Sequence, residues 1–179
     1  MNIQNPILIE NVLNQIDYDN LISSIPDPKS LEYQNGFSRY IASEKSLPIL
    51  KEISIKLVPI ARKIFKSENL LPTYSLFAHY EGPDASLYRH KDDNACTYTL
   101  DLCVYQKEIW PLFVEGVPYS LKPNQALAYY GNDQEHWRED FPNPSNNNVA
   151  MVFFHFAEPD HWYFVEGPEY LETHIRKKK

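Results

Sequence analysis

From Thr73 to Phe156 the chain is divided into short apolar and aromatic runs, TYSLFAHYE (73–81), SLYRHKD (86–92), TYTLDLCVY (97–105), PLFV (111–114), ALAYY (126–130) and VAMVFFHF (149–156), set apart by turn-prone stretches such as GPD, KPN and GND. β-Branched and aromatic side chains suit a pleated surface, and the intervening turn residues mark reversals, so about seven strands are expected here. The preceding region reads differently. Ile7, Ile9, Val12, Leu13, Ile16, Leu21, Ile22 and Ile25 fall at roughly helical spacing until Pro26 and Pro28, which predicts one or two short helices. Residues 26–45 are polar and turn-like, with Tyr33, Phe37 and Tyr40 as packing points. Leu50, Ile53, Leu57, Ile60, Ala61 and Ile64 then predict a helix with Ser46 as N-cap, Pro48 in its first turn, a kink at Pro59 and an end near Phe65. Helices followed by many short strands in 179 residues imply one mainly β domain with N-terminal helices, a sandwich or barrel that the helices buttress. Residues 1–70 are the mainly helical support, 71–157 the β core, and 158–179 a closing segment with the basic IRKKK tail.

Composition narrows the function classes. A net charge of -7 removes the usual electrostatic basis for gripping a phosphate backbone, so nucleic acid is disfavoured as a partner. Cys96 and Cys103 have an odd spacing that places them on opposite faces of one strand, which points to reduced thiols and a cytoplasmic setting. The amino terminus lacks a basic stretch followed by an apolar core, and no apolar run approaches a bilayer span, so no membrane association is expected. The oligomeric state is not legible.

His90 and Asp92 lie two apart on or at the end of a predicted strand, where a period of two aims both side chains the same way. His136 follows the strand ALAYY and its glycine turn, YYGNDQEH, where a later strand of one barrel could return it to the same point. Two imidazoles and one carboxylate on one face of an ion leave positions open, the arrangement suited to Fe(II) that must also bind a chelating cosubstrate and O2. The bland reading of the pair is an exposed histidine beside a solvated aspartate.

The stretch YEGPDASLYRHKD (80–92), with CTYTLDLCVY (96–105), WPLFVEG (110–116), ALAYYGNDQEHWRE (126–139) and VAMVFFHF (149–156), resembles the Fe(II)/2-oxoglutarate-dependent dioxygenase superfamily, including its prolyl-hydroxylase-like members. That resemblance covers residues 73–157 and implies a double-stranded β-helix of the jelly-roll or cupin-like kind. It implies iron binding by His90, Asp92 and His136, with 2-oxoglutarate decarboxylated to succinate and CO2 as a C–H bond of a small, amino-acid-like molecule or a peptide residue is hydroxylated. It places Tyr80 at a tyrosine that hydrogen-bonds the cosubstrate, and Tyr105 near a position that reaches its distal carboxylate. Asp92 as the carboxylate ligand implies hydroxylation rather than halogenation.

One departure bears on the cosubstrate. The family's Arg or Lys about ten residues beyond the distal histidine is absent, since that window reads NPSNNNVAM. A buried dicarboxylate without a cation is poorly compensated. Arg138, two residues after His136, is the first candidate clamp and Lys107 the second. Arg89, Lys91 and Lys107 are cations near the expected mouth that could receive a substrate carboxylate. His155 reads as a histidine of the core or one that supports a metal ligand without binding the ion, and His79 as facing away from Tyr80. Two other readings stand beside the oxygenase: a cupin-like metal enzyme using the same triad without 2-oxoglutarate, and a non-catalytic β-barrel binding module.

Overall fold

The computed structural model describes residues 5–166. In chain order these form β1 (Ile7–Ile9), α1 (Gln15–Ser24), β2 (Glu32–Gln34), β3 (Arg39–Ser43), α2 (Ile49–Phe65), β4 (Leu71–Glu81), β5 (Leu87–His90), β6 (Tyr98–Gln106), β7 (Leu112–Val114), β8 (Val117–Tyr119), β9 (Ala126–Tyr129), β10 (His136–Arg138), β11 (Asn148–Ala157) and the single turn α3 (Trp162–Val165). The basic tail read from the sequence lies outside the described residues. No helix among the described residues is long and apolar enough to cross a membrane.

The helices follow from local chemistry. Asn14 caps α1 by accepting the Asp17 N–H at 2.9 Å. On α2, Leu50, Ile53, Leu57 and Ala61 recur at three- and four-residue intervals and are all buried. Its start differs from the expected cap: Pro48 occupies the position before the helix, and Ser46 Oγ instead donates to the Ser43 carbonyl. The helix continues through Pro59, whose ring removes the bond to the carbonyl of Ile55; both residues lie on the solvent side, where water can satisfy that carbonyl. Lys66, in the left-handed region, ends the helix with its N–H donating to Arg62 O.

The strands form two antiparallel sheets. The longer runs β1-β9-β6-β11-β4-β3-β2 and the shorter β5-β10-β7-β8. Strand alternation gives the long sheet two buried faces. Leu100, Leu102, Val152, Phe154 and Phe156 pack with α2 on one side. Ala78, Tyr80, Cys103, Leu127 and Met151 pack with Leu112 and Val114 of the short sheet on the other. The order of layers is therefore helices, long sheet, short sheet.

The N-terminal third is less helical than its sequence suggests. β1 pairs with β9, and β2 and β3 extend the far edge beside β4, so the segment read as turn-like supplies strands. These strands are three to five residues long, too short for a period-two pattern to stand out. Both cysteines are free and buried, but Cys96 sits in the 3-10 turn Asn94–Cys96 ahead of β6 rather than on the strand.

Candidate metal centre

His90 ends β5 and His136 begins β10, and the two are direct cross-strand partners. Their ring centroids are 4.3 Å apart. Asp92 lies just beyond β5 and is drawn inward by its backbone N–H, which donates to Gly131 O at 2.8 Å. Asp92 Oδ1 is then 3.5 Å from the Nε2 of both histidines. The three ligand-bearing groups converge within 4.8 Å although they come from separate parts of the chain.

The tautomers suit a metal. Nδ1 of His90 is 2.6 Å from the Tyr88 carbonyl and Nδ1 of His136 is 3.0 Å from the Gln134 carbonyl. A carbonyl oxygen only accepts, so each Nδ1 carries the proton and each Nε2 turns a lone pair toward Asp92. Two lone pairs and a carboxylate facing one point repel each other unless a cation occupies it. A first-row ion with ligands about 2.1 Å away spaces neighbouring donors about 3 Å apart, so a small contraction of the observed 3.5 Å is sufficient. In the protein alone, protons serve the same purpose. Burial would raise the Asp92 pKa, but hydrogen bonds from His136 and His90 outweigh it and hold the carboxyl well below its ordinary value. Burial would lower His136, but its bond to Asp92 prevails and raises it.

Gly131 makes this loop possible. A Cβ there would lie 2.5 Å from Asp92 Oδ2, 2.5 Å from Thr99 Oγ1 and 2.6 Å from Cys96 O. Only a residue without a side chain lets the Gly131 carbonyl reach the Asp92 amide.

The triad opens on a cavity of about 110 Å³ whose walls include Arg39, Tyr74, Asp101, Tyr129, Phe153 and His155. Asp101 is fully buried; burial pushes its pKa up to about 7, while the nearby His136 pulls the other way. Tyr129 donates to Asp101 Oδ2 at 3.1 Å, whereas Oδ1 has no partner. Burial lowers the His155 pKa to about 4, so the ring is neutral, with Nδ1 3.1 Å from Thr99 Oγ1.

Of the remaining expected residues, Arg138 and Tyr80 are buried between the sheets but do not line the cavity itself. Arg138 is buried on the strand of His136, with its guanidinium 4.9 Å from the Trp110 ring and Nη1 donating to Trp110 O. Its Nη2 has no partner, and no pair with Glu135 or Glu139 forms. Burial lowers its pKa, opposed by nearby Tyr80 and Asp101. Tyr80 lies between the sheets, edge-on to Trp110, and its hydroxyl accepts from Arg39 Nη1 at 2.6 Å.

Tyr105 and Lys107 are not brought to the cavity. A bulge opposite Ala150 and Met151 rotates Tyr105 onto the helix-covered face, where its hydroxyl meets His79 Nδ1 at 2.9 Å. Lys107 lines a surface groove with Tyr40, Glu81 and Asn148. Arg89 stacks over Trp137 at 3.6 Å and pairs with Glu135 at 3.2 Å, away from the cavity wall.

Arg39 and Asp101 are the residues that sequence reasoning passed over. Asp101 carried a usable signal, a lone carboxylate inside an otherwise apolar strand. Arg39 carried none, since it stood in a segment read as turn.

No protein-family model matches the sequence, and no curated protein sequence matches it. Solved structures do match the fold. HygX from Streptomyces hygroscopicus, with nickel, 2-oxoglutarate and hygromycin B bound, superposes with a TM-score of 0.68 at 9% identity over 87% of this chain and 83% of that one. The non-heme alpha ketoglutarate dependent carbocyclase SnoK from nogalamycin biosynthesis gives 0.67 at 10% identity over 86% and 80%. The viral collagen prolyl hydroxylase vCPH from Paramecium Bursaria Chlorella virus-1, a 2-oxoglutarate complex, gives 0.56 at 13% identity over 86% and 97%. The fold is thus that of Fe(II)/2-oxoglutarate-dependent oxygenases, the superfamily that the sequence resembles.

Proposed function

We propose that this chain is an Fe(II)- and 2-oxoglutarate-dependent oxygenase on a double-stranded β-helix, hydroxylating a C–H bond of a small molecule or of a peptide residue. The convergence of His90, Asp92 and His136 at one point, with both Nε2 lone pairs turned inward, carries this reading. The interleaving of β4, β6, β9 and β11 in one sheet with β5, β7, β8 and β10 in the other supports the jelly-roll description. Iron bound there would activate O2, the oxidant, with 2-oxoglutarate giving up two electrons as it is decarboxylated to succinate and CO2 and the substrate C–H bond giving up the other two.

The chain's own residues hold and shield that chemistry. His90 and His136 supply neutral nitrogen donors fixed by backbone carbonyls, and Asp92 supplies the charge. Arg138 is the clamp for the distal carboxylate: a buried guanidinium with a free Nη2, on the strand that carries a ligand, is poised to receive an anion. Tyr80, whose hydroxyl accepts from Arg39, keeps its own proton to donate to the cosubstrate. Asp101, neutral below about pH 7, donates to a bound carboxylate rather than repelling it. Phe153 and Leu87 keep the wall dry. The unsatisfied Arg138 favours this reading over a metal enzyme of the same triad that uses no dicarboxylate.

Anaerobic titration tests it. Fe(II) with 2-oxoglutarate should give a weak visible metal-to-ligand band, and Asp92→Ala should give none. Arg138→Met should still bind Fe(II) but weaken 2-oxoglutarate on the order of 100-fold. Iron binding without any band would remove the cosubstrate from the reading; no iron binding would remove the metal.

A further inference from the structure

Arg39 lines the same cavity as the triad, and its environment is that of a recognition group rather than a structural ion pair. It is 8% exposed, yet no carboxylate lies within ion-pair distance of it among the described residues. Its guanidinium is nonetheless held in place. Nε donates to Gln34 Oε1 at 2.7 Å, Nη1 donates to Tyr80 at 2.6 Å, and the plane lies 4.4 Å from the Phe37 ring. These contacts orient the fork without neutralising it, and they leave donors free on both terminal nitrogens.

The backbone is also committed to this placement. Ser38, between Phe37 and Arg39, is held at φ 47°, a left-handed conformation that is uncommon for a side-chain-bearing residue. Phe37 O accepts the Ser86 N–H at 3.3 Å, tying the turn to the start of β5. Strain of this kind persists where the surroundings require it, and here it sets Phe37 and Arg39 on the cavity wall together.

Charge then assigns the role, resting on the oxygenase reading above. Fe(II) and Asp92 carry one net positive charge, 2-oxoglutarate carries two negative charges, and Arg138 supplies one positive. With Arg138 committed to the cosubstrate, Arg39 remains on the cavity wall as a buried cation with no carboxylate within ion-pair distance among the described residues. We propose that Arg39 binds a carboxylate of the primary substrate, so that the substrate class is small carboxylate-bearing molecules, oriented by the guanidinium and flanked by Phe37 and Phe153.

The test starts with anaerobic protein loaded with Fe(II) and 2-oxoglutarate. It is titrated with N-acetyl amino acids and free amino acids, each beside its methyl ester, and binding is followed as a shift of the visible band. In the wild type, at least one acid should bind about ten-fold more tightly than its ester. Arg39→Met should reduce that preference to below about two-fold, with 2-oxoglutarate affinity falling no further than in Tyr80→Phe, which removes the hydroxyl that Arg39 orients, and Arg39→Lys should restore part of the preference. A band with no acid-over-ester preference anywhere in the panel, or with no panel member bound, overturns this inference alone. A loss of 2-oxoglutarate affinity in Arg39→Met about ten-fold or more beyond that of Tyr80→Phe also overturns it, because Arg39 would then be the cosubstrate clamp. The absence of any band in the wild type before the panel is added would instead strike the oxygenase reading itself.

Discussion

The two faces of the long sheet are made by alternate residues of the same strands and bear opposite burdens. On β6, Leu100, Leu102 and Val104 turn toward α2, while Thr99, Asp101 and Cys103 turn toward the short sheet. On β11, Val152, Phe154 and Phe156 face the helix, and Met151, Phe153 and His155 face the cavity. The helix side is made largely of side chains that gain from leaving water, with Ser75 and His79 of β4 as its buried polar members. The cavity side holds an unpaired carboxylate oxygen at Asp101 and an unpaired guanidinium nitrogen at Arg138, each costly to bury. The apolar face stabilises the sheet, which lets the other face keep groups that a ligand has yet to satisfy.

The contrast can be broken from either side. The largest effect belongs to the apolar face: Phe154→Ala, fully buried, should cost about 3–5 kcal/mol in chemical denaturation. Fe(II) affinity per folded molecule should change little, and a large loss would mean that the faces are not separable. Gly131→Ala attacks the other side. With backbone O of Cys96 only 2.6 Å from the new Cβ, the loop must move, costing about 2–3 kcal/mol and lowering Fe(II) affinity by titration. Unchanged iron binding in that variant would contradict the placement of Asp92.

Asp101→Asn should act in the opposite direction, stabilising the metal-free protein. The Asp101 carboxyl titrates near 7 in the fold and near 3.9 in an unfolded chain. Between those values the native state retains a proton that the unfolded state releases, so stability falls as the pH rises through that window, and the loss is complete above pH 7. The variant should be more stable by about 1–3 kcal/mol at pH 8 and nearly equal at pH 4 by thermal denaturation. An equal difference at both pH values would show that the carboxyl is not the cause. The smallest effect is expected outside both faces: Arg89→Ala breaks an exposed pair with Glu135 and a stack on Trp137, at a cost of about 0.5–1 kcal/mol, with iron and 2-oxoglutarate binding unchanged.

The convergence of the three proposed iron ligands was legible because their geometry is partly local. A spacing of two aims His90 and Asp92 together, and a glycine turn before His136 marked the return of the chain. The long strands β4, β6 and β11 were legible for a similar reason, since composition and turn residues bound them. Tyr105 was misread because a single extra residue opposite Ala150 and Met151 reverses the facing of everything beyond it, and a bulge leaves no mark in composition. Lys107, just past the end of that strand, lies outside the cavity as well.

By itself the sequence determined a β-rich chain behind helices, a histidine and an aspartate at the end of one strand, and a second histidine past a glycine turn. Tertiary structure decided how that site is completed. Arg39 reaches the cavity because β3 pairs with β4 in a register that sets Arg39 opposite Tyr80, and Arg138, buried on β10 between β5 and β7, meets Trp110 O through Nη1 and leaves Nη2 unpaired. Backbone pairing between distant segments depends on main-chain groups that every residue shares, so the pattern of side chains along the chain cannot announce it.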